Sequence, residues 1–396
     1  MKRTIIFFLS FFLLASLMVA VALYVPTSLA ADSDFLAIYN ADLAFVNGVP
    51  IYDIPAVRDI ALKASGIPDE KFFLVRFLYP PWYALSVFYL GFLPAKAAAT
   101  LWFEINLVML FLSVWFLTDG WEGRLRLVTF PIALLFLPVL GTLSVGQYDF
   151  PVLLGASMLV YSLRKENVTL TVLGVVLLTF KPHVGALILL SVLIHLIISR
   201  SNFGRSAMRS ILIAGGLLFV IGFIADPAWP IRYPKVLLSY QGEEHVSECS
   251  GCANLPIQLS RWFFDGSFER AVVIAVVLLV VLVVLFYWLR SSLFKSYALF
   301  SNAALLITLL ISPYLYNYDY ILLLVPFAFL VNGKKSLVNR IIIVLCCFLP
   351  SIFIIVYGHK GDVSLIVATI LISILFYLRA KSPVDVPAFA PYNTPS

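Results

Sequence analysis

The stretch TIIFFLSFFLLASLMVAVALY, residues 4–24, decides the fold because it is uncharged and long enough to cross a membrane. A transmembrane helix needs ~20 apolar residues to span a ~30 Å hydrocarbon layer. Lys2 and Arg3 precede the run, and TSLA (residues 27–30) follows it like a signal-peptidase site. Because the rest of the chain is equally apolar, we predict an uncleaved signal anchor with a cytoplasmic N-terminus.

The composition extends this interpretation to the whole chain. Of 396 residues, 62% are hydrophobic and 12% are charged, and the mean hydropathy is +1.01. Soluble domains carry roughly 25% charged residues. These values predict an all-α polytopic membrane protein with no separate soluble enzyme domain. The net charge of +6 reflects membrane orientation and not nucleic-acid binding, since most of the 27 basic residues fall in loops placed on the cytoplasmic side.

About twelve transmembrane helices are predicted, with both termini in the cytoplasm. The predicted spans are residues 5–24, 98–117, 127–145, 149–163, 168–180, 184–198, 210–225, 270–290, 297–312, 317–332, 340–357 and 363–379. Several are too short for an ordinary crossing, which indicates helices that break at an internal cavity. The apolar stretch at 79–94 has proline near both ends and is interpreted as interfacial or re-entrant.

The predicted domain organisation is simple. Residues 1–380 form a single transmembrane catalytic domain with large outside loops at 25–97 and 226–269. Residues 381–396 form a cytoplasmic tail that is disordered because of its Pro and Ser content.

Polar motifs gather at the outside ends of these spans. They are Asp32 and Asp34, GQYD (146–149), KPH (181–183), the loop 226–269, and SPYLYNYDY (312–320). Ionisable groups at membrane depth are functional candidates by default. Structural alternatives stay open for each motif: Asp32 as a helix cap, Gln147 and Asp149 as a polar turn, and Lys181 as a snorkelling side chain.

Five segments together resemble the integral-membrane glycosyltransferases of family 87. They are DFLAIYNADLAFVNGVPIYD (34–53), FLYPPWYALSVFYLGFLP (77–94), GQYDFPVLLGA (146–156), LLTFKPHVGALILL (177–190) and SPYLYNYDYILLLVPF (312–327). They occur in the order that the family shows, and the resemblance extends to about residue 330.

The resemblance implies the C-type glycosyltransferase fold in a multi-pass plasma-membrane protein. It implies transfer of a hexosyl residue, with mannose the best-known sugar, from a polyprenyl-phosphate donor to a lipid or glycan acceptor outside the cytoplasm. The family places an essential Asp in the first outside loop, which corresponds here to Asp34. Membrane lipids are the remaining expected partners, and no nucleic acid, cofactor or metal is expected, although the Asp-x-Asp spacing of Asp32 and Asp34 is compatible with a weakly held cation.

Chemistry supports a single carboxylate at this place. A general base within ~3 Å can take the proton of an acceptor hydroxyl, while a phosphate leaving group needs cations and not a second acid. Asp34 is thus the predicted catalytic base of an inverting displacement, and Lys181, with His183 or Arg76, the predicted phosphate-neutralising group.

Other polar and aromatic residues are assigned to the substrates. Gln147 and Asp149 are predicted to hold sugar hydroxyls, and Tyr79 and Trp82 form an aromatic wall or, alternatively, an interfacial belt. The full predicted substrate-binding set is Asp32, Arg76, Tyr79, Gln147, Asp149, Lys181, His183, Asn254, Tyr318 and Asp319.

Two features depart from or add to the family pattern. Many members carry a His pair after Ser-Pro, where this chain has Tyr318 and Asp319, so Asp319 either binds acceptor hydroxyls or pairs with Lys181. In the central loop, Cys249 and Cys252 predict a small disulfide, with a metal site that includes His245 as the alternative; Cys346 and Cys347 read as apolar packing.

Two other protein classes share much of this pattern. A transporter or flippase also has polar residues beside broken helices, but its site lies near the midplane between paired repeats. An O-antigen-ligase-like enzyme, which uses a diphosphate-linked donor, would rely on arginines of the large loop instead of an Asp after the first span.

Overall fold

A computed structural model describes residues 27–31, 33–121, 123–241, 252–293, 297–312, 314–331 and 337–381. Within these ranges every regular element is a helix. The predicted signal anchor at 5–24, Asp32, His245, Cys249 and the tail after residue 381 lie outside the described residues.

Besides a helical stretch at residues 27–31, the described residues form seventeen α-helices and four 3₁₀ helices. The α-helices are α1 (Phe35–Val46), α2 (Ile54–Ser65), α3 (Pro81–Val87), α4 (Ala95–Leu117), α5 (Gly123–Leu134), α6 (Leu137–Val145), α7 (Asp149–Arg164), α8 (Val168–Leu178), α9 (Pro182–Ser199), α10 (Asn202–Ala225), α11 (Trp229–Gln241), α12 (Leu255–Phe263), α13 (Phe268–Leu293), α14 (Tyr297–Ile311), α15 (Leu324–Val331), α16 (Leu337–Tyr357) and α17 (Val363–Lys381). The 3₁₀ helices are Asp69–Lys71, Phe88–Phe92, Asn317–Leu323 and Gly358–Asp362.

Three of the described helices, α4, α9 and α10, are long and apolar enough to cross a bilayer. A fourth candidate is the pair α5 and α6, which is bent by 60° where the sequence predicts one span at 127–145. Pro131 lies inside α5 and Pro138 in the first turn of α6, and proline removes a helical hydrogen bond and breaks the helix there. These helices support a membrane protein, while the number of crossings and the loop layout remain predictions.

The stretch 79–94 forms α3 and then the 3₁₀ helix Phe88–Phe92. Each is too short to cross a bilayer, which agrees with an interfacial or re-entrant segment. The 3₁₀ helix packs directly on α1. A Cβ at Gly91 would lie 2.4 Å from the backbone oxygen of Asp42, so only glycine permits this contact and the resulting position of α1.

Helix α7 lies at the centre of the described bundle and is buried along most of its length. It packs against α4 on one side and α8 on the other. Small residues bring α7 and α8 together: a Cβ at Gly155 would lie 2.7 Å from the carbonyl oxygen of Gly174. This packing fixes the N-terminal end of α7, where Asp149 is the first residue.

Large apolar side chains are exposed on outer helices. Leu212 of α10 is 68% exposed and Ile355 of α16 is 75% exposed. An apolar surface of this kind suits contact with lipid chains.

The cysteines agree with two predictions from the sequence. Cys252 is disulfide-bonded, which fits the predicted disulfide in the central loop. Cys346 and Cys347 are free thiols on α16, which fits their predicted role in apolar packing.

Candidate active site

A cavity of about 820 Å³ is enclosed by segments that are far apart in the chain. One wall consists of the start of α1, the turn between α6 and α7, the turn before α9, and the 3₁₀ helix Asn317–Leu323. The remaining lining comes from α2, the extended segment 72–79 and α11. Of the residues predicted from the sequence, those that line the cavity are Asp34, Arg76, Tyr79, Gln147, Lys181, His183, Tyr318 and Asp319.

Asp34 occupies the N-cap position of α1, and its side chain makes no capping hydrogen bond. Its backbone is held by Tyr148, whose hydroxyl donates to the Asp34 carbonyl oxygen and accepts from the Ile38 N–H at 3.0 Å. Tyr148 is 1% exposed. The Asp34 side chain therefore lines the cavity and does not cap its helix. Tyr148, in the turn between α6 and α7, fixes the Asp34 backbone.

The turn that carries Gln147 and Tyr148 depends on Gly146. This residue ends α6 with φ +68°, a conformation that glycine adopts at little steric cost. A Cβ there would lie 2.6 Å from the Cβ of Phe35. The indole N–H of Trp102 donates to the Gly146 carbonyl at 2.9 Å. The turn between α6 and α7 therefore packs so closely on α1 that position 146 has no room for a side chain.

Gln147 connects the two polar parts of this wall. Its Nε2 donates to Asp34 Oδ2 at 2.8 Å and to the Tyr318 hydroxyl at 2.9 Å. Its Oε1 accepts from the Tyr148 N–H at 3.0 Å. Hydrogen bonds donated to a carboxylate favour its charged form, so Gln147 supports the ionised state of Asp34.

Lys181 lies behind Tyr318 in a buried triad. Its Nζ contacts Asp149 Oδ1 at 2.9 Å and Oδ2 at 3.0 Å, and Asp319 Oδ1 at 2.5 Å. Lys181 is 2% exposed, Asp149 0% and Asp319 1%. The other oxygen of Asp319 accepts from the Tyr316 N–H at 2.6 Å. Asp319 therefore pairs with Lys181, one of its two predicted roles, and also caps its own 3₁₀ helix.

The triad keeps Lys181 protonated. Burial opposes the charged form of this side chain, but Asp149 and Asp319 outweigh it, and the pKa of the ammonium is raised above its ordinary value. Whether one or both carboxyl groups are ionised, the triad carries no net positive charge. Lys181 is a buried, paired group and does not snorkel to the surface.

Aromatic rings cover this triad on the cavity side. Lys181 Nζ lies 5.1 Å from the centre of the Tyr318 ring, within the range of a cation–π contact. Tyr316 stacks on Tyr318 with ring centres 5.2 Å apart. His183 packs against Tyr314 in a T-shaped arrangement at 6.0 Å. The polar wall of the cavity is thus an aromatic surface into which Asp34, Lys181 and Asp319 are set.

The remaining lining of the cavity contributes arginines and apolar side chains. Arg76 and Arg58 both line the cavity. Arg58 donates to Asp69 at 2.5 Å, and both side chains are partly exposed, an arrangement of the kind that contributes little to stability. Tyr79 also lines the cavity, and the centre of its ring lies 4.6 Å from the centre of the Tyr148 ring.

Some predicted residues lie elsewhere. Asp149 does not reach the cavity, because both its oxygens hold Lys181 beneath the surface. Trp82 points away from the cavity and donates to Thr179 Oγ1 at 2.9 Å. Asn254 is fully buried and caps α12, where its Oδ1 accepts from the Ile257 N–H at 2.9 Å. Asn254 therefore acts as a helix N-cap in this structure and not as a residue of the cavity.

Sequence reasoning missed several residues of the cavity. Tyr148 lies inside the GQYD motif, and its place beside Asp34 follows only from the fold. Arg58 and Tyr233 lie on the amphipathic helices α2 and α11. Their apolar periodicity signals that one face of each helix packs on the protein, but it does not show which cavity that face borders.

Among the described residues, no three His, Cys, Asp or Glu side chains cluster closely enough to hold a metal ion. Asp32, half of the Asp-x-Asp pair, lies outside them. The side chains that line the cavity include carboxylate, amide, aromatic, imidazole, ammonium and guanidinium groups.

Comparison with known proteins gives one match. A family model described as glycosyltransferase family 87 matches residues 77–313, more than half of the chain. The match begins after Asp34 and ends before Tyr318. No curated protein and no solved structure gave a match.

Proposed function

The chain belongs to glycosyltransferase family 87, and from this premise we propose that it transfers a hexosyl residue, mannosyl in the first instance, from a polyprenyl-phosphate sugar to a lipid or glycan acceptor. The proposed reaction takes place at the extracytoplasmic side of the plasma membrane, in the cavity described above. The observation that carries the proposal is Asp34, a carboxylate held at the cavity wall by Gln147 at 2.8 Å.

Asp34 is the proposed general base of one inverting displacement. The acceptor oxygen forms a bond to the anomeric carbon while the bond from that carbon to the phosphate oxygen breaks. The electron pair of the broken bond leaves with the polyprenyl phosphate, and the acceptor proton passes to Asp34. No covalent sugar–enzyme intermediate forms, and no metal ion takes part in the proposed step.

The donor phosphate is placed at the arginine side of the cavity. The sequence assigned this role first to Lys181, but Asp149 and Asp319 already neutralise its ammonium. Arg76 also lines the cavity, and an arginine guanidinium can bind two phosphate oxygens at once. His183 is the second candidate because it also lines the cavity.

The cavity also offers an apolar path for a lipid chain. Its lining includes Ile54, Phe72, Phe73, Leu78 and Leu237, and Phe73 is 71% exposed. Burying apolar area contributes about 25 cal/mol per Å², so these residues favour a long hydrocarbon over a water-soluble donor. This supports a lipid-linked sugar in preference to a nucleotide sugar.

The test is a transfer assay in membranes that contain the protein. Radiolabelled sugar would be supplied as a polyprenyl phosphate, as a polyprenyl diphosphate or as a nucleotide sugar, and the labelled lipid or glycan would be separated from donor. The proposal predicts transfer from the monophosphate donor and loss of transfer in Asp34→Asn at matched expression. Transfer from the diphosphate alone would favour a ligase-like enzyme, and donor movement across the membrane without transfer would favour a flippase.

A further inference from the structure

We infer that Gln147 and Tyr318 form a positioning relay that holds the Asp34 carboxylate, and that the Lys181 triad anchors this relay instead of binding the donor phosphate. The inference rests on the proposed function, because it concerns the same carboxylate. It changes the role of Gln147 from a ligand of sugar hydroxyls to a positioning residue.

The first step is that both polar atoms of the Gln147 amide, the nitrogen and the oxygen, have hydrogen-bond partners. An amide has two N–H donors and one carbonyl oxygen, and here both donors and the oxygen have partners, Asp34, Tyr318 and the Tyr148 N–H. Reversing the amide would set its oxygen against the carboxylate and its NH₂ against a backbone N–H. The side chain is 5% exposed, so its orientation is fixed by these partners.

The second step is that Tyr318 is itself fixed. Its ring lies between Tyr316, at 5.2 Å, and the Lys181 ammonium, at 5.1 Å. Its backbone carbonyl accepts from Thr142 Oγ1 at 3.3 Å. The hydroxyl of Tyr318 therefore meets Gln147 from a side chain with little freedom to move.

The third step concerns what fixes the 3₁₀ helix that carries Tyr318. Asp319 joins Lys181 through one oxygen and the Tyr316 N–H through the other. Lys181 in turn is held by Asp149 at the start of α7. The ion pairs of the triad thus join three separate segments of the protein, and the contacts continue through Tyr318 and Gln147 to the Asp34 carboxylate.

The relay predicts a specific kinetic pattern. Gln147→Met keeps the length of the side chain but removes the N–H donated to Asp34, so kcat should fall by about 10- to 100-fold. The carboxylate loses a hydrogen bond that favours its charged form, so the acidic limb of the pH–rate profile should move to higher pH. The KM for the donor should stay within about twofold, because ground-state binding is not the function removed. Tyr318→Phe keeps the ring and removes only the hydroxyl, and should show the same pattern with a smaller fall in kcat.

A matched control separates positioning from general stability. Tyr320 lies in the same 3₁₀ helix but outside the cavity, and its hydroxyl donates to the Ala253 carbonyl at 2.6 Å. Tyr320→Phe removes a hydrogen-bonded hydroxyl from a fully buried side chain of the same 3₁₀ helix, so it should lower thermal stability while leaving the pH limb and the kcat of the folded enzyme unchanged.

The experiment measures kcat, donor KM and the pH profile on purified, reconstituted protein of each variant, normalised to the folded fraction. The relay is supported if Gln147→Met and Tyr318→Phe lower kcat and move the acidic limb while Tyr320→Phe does neither. It is overturned if the first two variants raise the donor KM without changing kcat, as ligands of the donor would, or if all three variants keep the wild-type profile. An inactive wild type would instead count against the proposed function itself.

Discussion

Replacing Lys181 by methionine tests the buried triad most sharply, because it removes the cation and leaves two carboxyl groups facing each other. Lys181, Asp149 and Asp319 are each at most 2% exposed. Breaking a buried ion pair by removing one partner costs about 3–5 kcal/mol. With a melting temperature that falls by about 2 °C per kcal/mol in a protein of this size class, the apparent Tm should fall by about 6 °C or more.

Two further variants sharpen this prediction. Arg270→Met removes the cation of a surface pair, Arg270 and Asp265, which lie 3.4 Å apart and are about half exposed; its loss should cost about 0–1 kcal/mol. Replacing Lys181 by Met together with Asp149→Asn and Asp319→Asn removes all the charges, and should recover most of the stability lost by the single variant.

The assay is thermal unfolding of detergent-purified protein, followed by intrinsic fluorescence at one fixed scan rate and lipid content. If Lys181→Met melts within about 1 °C of Arg270→Met, the cost assigned to breaking the buried pair is wrong. If the triple variant is less stable than Lys181→Met, uncompensated charge is not the reason for the loss.

Two further predictions concern the turn that supports the proposed base. Gly146→Ala should abolish transfer and lower the folded yield, because its Cβ would lie 2.6 Å from that of Phe35; Gly48→Ala, also at positive φ but with nothing within 4 Å, should lose only about 1–2 kcal/mol in thermal unfolding, and equal losses would contradict this. Tyr148→Phe should lower kcat and cost about 1–3 kcal/mol, because the hydroxyl that holds the Asp34 carbonyl is lost; a variant with wild-type kcat and Tm would show that this contact does not position the base.

Much of the fold follows from hydropathy alone. Helices occupy the predicted segments within the described residues, since an apolar run of the right length has few alternatives to a helix in a membrane. Hydropathy predicts one continuous span at 127–145 and misses the break between α5 and α6, although Pro131 and Pro138 mark this break in the sequence. Hydropathy averages over such a window, while the bend depends on two individual residues.

The site could be predicted as a set of motifs but not as a geometry. The polar motifs predict that Asp34, Gln147, Lys181 and Tyr318 act on the substrates, and the structure brings all four to one cavity. Spacing along the chain could not show that Asp149 would hold Lys181, because that contact depends on the position of α7 beside the turn before α9.

Aromatic residues show the same limit of sequence reasoning. Tyr79 and Trp82 stand three residues apart and were assigned to one wall, yet Tyr79 lines the cavity while Trp82 packs against Trp229 at 5.6 Å. Tyr79 ends the extended segment that precedes α3, whereas Trp82 lies on α3 itself, so the rotation of α3 about its axis decides where Trp82 points. That rotation is set by contacts with α10 and α1, which composition and spacing do not encode.

The central claim is that Asp34 acts as the base for sugar transfer, and the most direct test is the single-turnover rate in proteoliposomes with labelled polyprenyl-phosphate sugar. Asp34→Asn would be compared with the wild type and with Asp59→Asn, an exposed carboxylate of α2 outside the cavity. We expect Asp34→Asn to bind the donor with unchanged affinity and to lose at least about 100-fold in rate, while Asp59→Asn keeps the wild-type rate. Transfer by Asp34→Asn at the wild-type rate would contradict the claim.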